Sequence, residues 1–444
     1  MTPLPWARPR FERLLLLLVA CAALSPVYLT STQDVTRLCL TRSLVQGKLT
    51  VTPCVGSTID RAVYHGRTYT DKAPGQSLLA LPAVEAVRLP PASEWTFEGD
   101  PKLWAVRVLV TGVAFLLLAW AVGRLSEGLA PGFGGAALVT FALGTLVAPL
   151  AASSFDHDLT AAFGFAAFLL AWRGSPGWAG LCAGLAVLCE YQGAATAVVV
   201  AAFVALRGAG ALARYALAAL PPLALLGAYD WAAFGSPFHL SYRYVANRYS
   251  ADQQAGFFGI HLPSAHSTHE VFVGDRGLLV ASPVLVAAAA GLALVARRHR
   301  AAALAAAAVA AVFLLVNCGY FLPYGGISPG PRFLVPALPF LALGLAPAFA
   351  RRRAATAALA AVSVVAMTAQ TLTWASMGDT TYRQTIWGEV ARLAAHGRAA
   401  RLDDLLANNA LVWLGPSRVY AAIAVSAVAA AAFVLALRAG WARR

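Results

Sequence analysis

The dominant pattern along the chain is a recurrence of apolar runs near 20 residues long, separated by short arginine clusters and three long polar stretches. A helix needs about 20 such residues to cross roughly 30 Å of hydrocarbon. Lipid offers no hydrogen-bond partners, so the backbone polar groups of each run must be satisfied within the segment, and each run is read as a helix. Spans are predicted over 14–29, 104–122, 133–150, 159–172, 215–229, 277–296, 301–321, 333–350, 354–373 and 419–437. The stretch 178–206 is too long for one upright span and too short for two full ones. Charge resolves it. Read as a hairpin turning at 190–193, it gathers sixteen arginines, among them those within 297–300 and 351–353, on one side against only Glu12 and Glu127. That is the asymmetry of cytoplasmic loops. The sequence therefore predicts an all-α, polytopic integral membrane protein of about 12 crossings, a single membrane domain over 1–444 with both termini in the cytoplasm.

Composition agrees with lipid as the main solvent. With 59% hydrophobic residues, 12% charged residues and a mean hydropathy of +0.67, the chain is more apolar than a water-soluble core of this length requires. The formal charge of +14 lies in scattered loop clusters and forms no patch, so nucleic acid is not an expected partner. Arg8, Arg10 and Arg13 ahead of an apolar run fit a signal segment, and Leu18-Val19-Ala20-Cys21 resembles a lipoprotein cleavage box. The run continues to Leu29, so it is read as an uncleaved first span. Cys21, Cys182, Cys189 and Cys318 lie in apolar helices as small hydrophobes, whereas Cys39 and Cys54 share the first outer loop, where they either pair in an oxidising compartment or remain two thiols.

Three outer segments run to dozens of residues, 31–103, 231–276 and 375–418, while the inner loops are short, so function is expected to face outward. No Gly-rich phosphate loop, zinc-ligand spacing or dinucleotide fingerprint occurs. The first outer loop opens with Val35, Leu38 and Val45 interleaved with Asp34, Arg37, Thr41 and Arg42, which predicts an amphipathic helix lying on the membrane surface. Asp34 and Arg37, three apart, fall on one face. Farther along, Asp71 and Lys72 precede a Pro74-Gly75 turn into an apolar helix. Glu190 sits at the tip of the short hairpin, and an ionisable group at membrane depth is a candidate functional residue. The segment 382–406, with Trp387 and several arginines, reads as an outer amphipathic stretch. Each feature also has a plain reading: a solvated loop aspartate, a lysine on lipid headgroups, a snorkelling arginine, a wetted hairpin tip.

Asp34-Val35-Thr36-Arg37 after the first span, and Tyr69-Thr70-Asp71-Lys72-Ala73-Pro74 later in the same loop, resemble two motifs of the GT-C superfamily of polyprenyl-phosphate-dependent glycosyltransferases. The branch is that of the lipid A aminoarabinose transferases and protein O-mannosyltransferases (glycosyltransferase family 39). There the motifs run Asp-Glu-x-Arg and Tyr-x-Glu-Lys-Pro-Pro, so Val35 and Ala73 are departures that mark a divergent member. Similarity extends to Ser154-Phe155-Asp156-His157-Asp158 and to the stretch 326–336 around Arg332. The resemblance implies a sugar transfer from a polyprenyl-phosphate donor to an extracytoplasmic glycan, lipid or protein acceptor, with inversion, at a bacterial inner membrane. It implies Asp34 as general base, Arg37, Lys72 and Arg332 as ligands of the donor phosphate, Asp71 as the group orienting Lys72 or Arg37, and Asp156 and Asp158 as binders of sugar or acceptor hydroxyls, with Glu190 added in support by its depth alone. No cofactor is expected. Asp156-His157-Asp158 carry residue types that suit a divalent metal, but spacing offers no third ligand. The rival readings are a transporter or lipid flippase, which would gather ionisable groups at the bilayer midplane, and a non-catalytic envelope assembly protein.

Overall fold

The computed structural model describes residues 9–24, 31–95, 100–326, 328–373, 385–388, 427–428 and 430–438. Among them, four helices are long and apolar enough to cross a membrane: Pro101–Leu129, Ala209–Phe234, Arg300–Gly319 and Arg353–Thr371. Two bent pairs raise that to six if each is one span: Ala265–Ala281 with Val284–Ala296, at 85°, and Arg332–Ala342 with Leu345–Arg351, at 52°. Gly134–Gly144, His157–Trp172, Pro176–Cys189 and Gly193–Ala205 are shorter apolar helices. At about 1.5 Å per residue, helices of this length cover only part of the hydrocarbon.

The hairpin expected over 178–206 is present as Pro176–Cys189 and Gly193–Ala205, turning at 190–192. Three runs read as single spans are broken instead. The run 133–150 ends its first helix at Thr145, which leaves in an extended conformation while its hydroxyl donates to Phe141 O at 2.7 Å. A separate turn, Val147–Ala151, follows. The run 277–296 breaks at Pro283, which has no N–H to continue the ladder. In 333–350 the chain enters as a 3-10 turn, Arg332–Ala337, and bends again at Gly344, whose missing Cβ lets it close on the Ala288 carbonyl. The last span, 419–437, is described only at its end, where 430–438 is helical, and the outer segment 375–418 lies outside the described residues except for 385–388.

The amphipathic helix of the first loop forms at Thr32–Val45, but it does not lie on a surface: Gln33 through Thr41 are all buried. The reason is a wrap of outer-loop structure around it. Cys39 is bonded to Cys54 across 15 residues, and the Ser77 hydroxyl donates to Arg37 O at 2.9 Å. A β-hairpin, Ala62–Tyr64 with Arg67–Tyr69, turns through His65 and Gly66, both at positive φ. It bridges to Val245 in the second outer segment. The Pro74-Gly75 turn packs so closely on the end of the short hairpin that a Cβ at Gly75 would lie 2.4 Å from Leu188 O. Any side chain there would push Asp71 and Lys72 away from Glu190. The fold thus presses two sequence-distant polar clusters together at one end of the bundle.

Candidate active site

Helix Thr32–Val45 is started by a capping box: Ser31 Oγ accepts from Asp34 N at 3.2 Å, and Asp34 Oδ2 accepts from Ser31 N at 3.1 Å. The other Asp34 oxygen accepts from Ser154 N at 2.8 Å. Burial raises the Asp34 carboxyl above its usual range, more than these hydrogen bonds and Arg37 lower it. On the neighbouring face, Arg37 reaches Asp156 Oδ2 at 2.7 Å and donates to Gln33 Oε1 at 3.0 Å. Burial alone would lower the Arg37 guanidinium, but Asp156 outweighs it and keeps the charge.

Lys72 sits between two carboxylates, 3.1 Å from Asp60 Oδ1 and 3.0 Å from Asp71 Oδ2. Asp60 is completed by the Thr32 hydroxyl. Burial would raise Asp60 and lower Lys72, yet their mutual attraction wins in both, leaving Asp60 below the ordinary carboxylate range and Lys72 above the ordinary ammonium range. Asp71 goes the other way. Burial raises its carboxyl to about 6 despite Lys72, with the Asp60 charge adding to the rise. Its Oδ1 is buried and has no hydrogen-bond partner. Arg332 stacks over Phe155 at 5.0 Å and Phe333 at 5.3 Å and faces the same cluster.

These groups enclose space. A cavity of about 340 Å³ is lined by Gln33, Arg37, Asp71, Lys72, His157, Glu190 and Arg332 together with apolar residues that include Leu240, Phe257, Phe258, Ile260 and Val316. A smaller one of about 90 Å³ shares the Asp71, Lys72, Tyr320 and Arg332 wall and adds Asp60, Asn247 and Tyr249. In the wall of the large cavity, His157 Nδ1 donates to Glu190 Oε2 at 3.0 Å, and Gln192 donates to the other Glu190 oxygen. Asp156, His157 and Glu190 offer ligand atoms within 4.8 Å of one another, so Glu190 supplies the third group that sequence spacing did not.

Of the residues singled out in the sequence, the structure brings Arg37, Lys72, Asp71, Glu190 and Arg332 to one cavity, with Asp156 behind Arg37. Asp34 and Asp158 are not there. Asp34 lines a separate pocket of about 20 Å³ with Trp104, Arg107 and Ser154. The cause is helix geometry: at about 100° per residue, Asp34 and Gln33 fall on opposite sides of Arg37, and Gln33 takes the cavity side. Asp158 is wholly buried within His157–Trp172, and neither carboxylate oxygen has a hydrogen-bond partner. Asp60, Gln33 and Tyr320 were missed. Nothing local marks Asp60, whereas Gln33 was recoverable from its i, i+4 relation to Arg37.

No family model matches the sequence, and no curated protein matches it. Among solved structures, the chain is similar to ArnT from Cupriavidus metallidurans in the apo state, with a TM-score of 0.55 and 16% identity, over 96% of this chain and 72% of that one. It is also similar to the Archaeoglobus fulgidus oligosaccharyltransferase in its apo form, with a TM-score of 0.47. A second likeness is to AglB from the same organism in complex with an inhibitory peptide and a dolichol-phosphate, with a TM-score of 0.49. Identity is 15% in both, and the chain spans 56% of their length. The overlay on ArnT extends along nearly the whole chain, so the protein shares the overall fold of that structure.

Proposed function

We propose that this protein is a membrane glycosyltransferase that moves a sugar from a polyprenyl-phosphate donor to an extracytoplasmic acceptor, with inversion at the anomeric carbon. One observation carries the reading: three cations, Arg37, Lys72 and Arg332, line a cavity of about 340 Å³ together with apolar side chains that include Leu240, Phe257, Phe258, Ile260 and Val316. A lipid phosphate is both things at once, an anionic head on a hydrocarbon chain. As the bond from sugar C1 to the phosphate oxygen breaks, its electron pair goes to that oxygen, and fixed cations in a site poor in water stabilise the growing charge. Arg37 supplies a planar fork held by Asp156 and Gln33, and Lys72 a compact charge held by Asp60 and Asp71. The acceptor oxygen bonds C1 from the far side, and its proton passes to a carboxylate.

About twelve crossings in a bacterial inner membrane, with both termini cytoplasmic, complete the reading, supported by the arginine asymmetry and the apolar bundle. Its test is direct. Full-length protein in nanodiscs is incubated with radiolabelled polyprenyl-phosphate mannose, glucose and arabinose, and release of free polyprenyl phosphate is followed. Release from at least one donor is expected, at a rate that falls when Arg332 is replaced by Met. Donors that bind without any release, or unaltered release by the variant, would overturn the assignment.

A further inference from the structure

We propose that Asp71 takes the acceptor's proton, that the acceptor reaches it from the 90 Å³ cavity, and that Asp34 is a positioning residue. The inference rests on the glycosyltransferase reading and assigns a catalytic residue within it. Among the described residues, Asp71 is the one carboxylate that lines both the large apolar-walled cavity and the smaller polar one. A general base must stand where acceptor and donor meet, and that wall is the meeting place. It must also have an oxygen to receive a proton. Both oxygens of Asp60 are engaged by Thr32 and Lys72, and both of Glu190 by His157 and Gln192. Asp71 uses Oδ2 on Lys72 and keeps Oδ1 without a partner.

Asp34 lacks each qualification. Its oxygens accept from the backbone N–H groups of Ser31 and Ser154, and its pocket of about 20 Å³ is too small for a sugar. What it does is join two elements. The bond to Ser154 fixes the loop that leads into Asp156, which holds Arg37, while the Gln76 side chain donates to Ser154 O at 2.6 Å from the other side. Asp34 therefore acts through Asp156 and Arg37.

The step balances as follows. The acceptor hydroxyl oxygen forms its bond to sugar C1 as the bond from C1 to the phosphate oxygen breaks. The electron pair leaves with the polyprenyl phosphate, and the hydroxyl proton moves to Asp71 Oδ1. The groups facing that carboxyl are Lys72, Asp60 and Arg37, with the phenols of Tyr191, Tyr242 and Tyr320. A carboxyl raised to about 6 by burial is ionised at neutral pH and still basic enough to receive a proton.

The experiment measures release of free polyprenyl phosphate from the same three labelled donors, with water as acceptor, between pH 4.5 and 8, for wild type, Asp71→Asn, Asp71→Glu and Asp34→Asn in nanodiscs. Wild type should lose rate about tenfold per pH unit below about 6. Asp71→Asn should fall about 10²- to 10⁴-fold and lose that acid limb, and Asp71→Glu should recover part of the rate together with a limb. Asp34→Asn should keep the limb with a loss of about tenfold or less, since a shifted loop changes the rate but not the titrating group. A limb that survives in Asp71→Asn, or disappears in Asp34→Asn, overturns the assignment while leaving the glycosyltransferase reading intact. Wild type that cleaves no donor overturns both. Should Asp71→Asn fail to fold, the limb in Asp34→Asn decides by itself: retained, it supports Asp71, and lost, it refutes it.

Discussion

Two regions on either side of helix Thr32–Val45 each hold a buried carboxylate and a buried arginine, and they use them differently. In the small pocket, Asp34 accepts from two backbone N–H groups, while Arg107 donates to the carbonyls of Ala23 and Ala151, the latter at 2.8 Å. These four bonds all end on the main chain. Around the two cavities, Arg37, Lys72, Asp60, Asp71 and Asp156 bond mainly to one another's side chains, and the space beside Arg37, Lys72 and Asp71 is open. The difference teaches how to tell a charge that holds a fold from one placed for chemistry. Buried ions on backbone groups fix where elements lie, whereas ions balanced against each other around a cavity keep a field for a ligand.

The largest test of this contrast is Lys72→Met. Removing one fixed cation beside the leaving phosphate should lower kcat about 10²- to 10³-fold, roughly 3–4 kcal/mol, by analogy with loss of a single oxyanion donor. With its partner gone, the Asp71 carboxyl should rise further, moving the acid limb of the rate upward in pH. A variant whose kcat stays within threefold of wild type would place the chemistry elsewhere. Next comes Arg107→Met in the other region. It forfeits charge-assisted bonds to two buried carbonyls near the ends of helices Pro9–Leu24 and Val147–Ala151, so unfolding should become easier by about 2–3 kcal/mol, read as a lower thermal midpoint. The rate per folded molecule should change less than about threefold. A rate loss comparable with that of Lys72→Met would erase the distinction between the regions.

The sequence carried the membrane class, the hairpin over 176–205 and most of the cationic cluster, because apolar run length and loop charge act locally and can be read residue by residue. It did not carry which side of the juxtamembrane helix faces the cavity. Asp34 and Arg37 satisfy a same-face rule, yet that rule spans an arc wide enough for Asp34 to bond Ser154 while Gln33 sides with Arg37. Asp60 was invisible for another reason: its partner Lys72 is brought in by the β-hairpin between them, and no spacing rule encodes that fold-back. The breaks at Thr145, Pro283 and Gly344 came from single residues inside runs that hydropathy alone treats as uniform.

Stability against pH separates the regions by a smaller amount. Asp71, raised to about 6, and Asp34, also raised by burial, bind protons more tightly folded than unfolded, where a carboxyl titrates near 3.9. The Asp71 contribution is therefore fully present below about pH 4 and is lost as pH rises through about 6, and the Asp34 contribution has the same sign. Asp60, held low by Lys72, has the opposite sign, with a contribution present above about 4 and lost in stronger acid. Between pH 4 and 6 Asp71 dominates, and the thermal midpoint should decline with rising pH by the equivalent of on the order of 2 kcal/mol. Asp71→Asn should flatten both this slope and the acid limb of the rate, whereas Asp34→Asn should flatten the slope alone. A midpoint that climbs steadily from pH 4.5 to 6 in wild type would contradict the burial argument for both groups.

The smallest expected effect is that of chelation, and it bears on how the large cavity keeps its charge balance. Asp156, His157 and Glu190 could surround a divalent ion, since their ligand atoms lie within 4.8 Å of one another. Yet each carboxylate already has a donor. Arg37 stands 2.7 Å from Asp156, and the His157 N–H and the Gln192 amide both point at Glu190. A cation added there would have to displace the imidazole hydrogen from Nδ1 and share Asp156 with a guanidinium, losing bonds as it gained them. Turnover should accordingly change less than about twofold in EDTA, because Arg37, Lys72 and Arg332 supply the positive field without help. Release of polyprenyl phosphate that stops in EDTA and returns with Mn²⁺ or Mg²⁺, but not in Glu190→Gln, would assign the metal to this cluster. It would also make Arg37 a clamp on a metal ligand and no longer a ligand of the donor phosphate, moving that arginine to the structural side of the comparison.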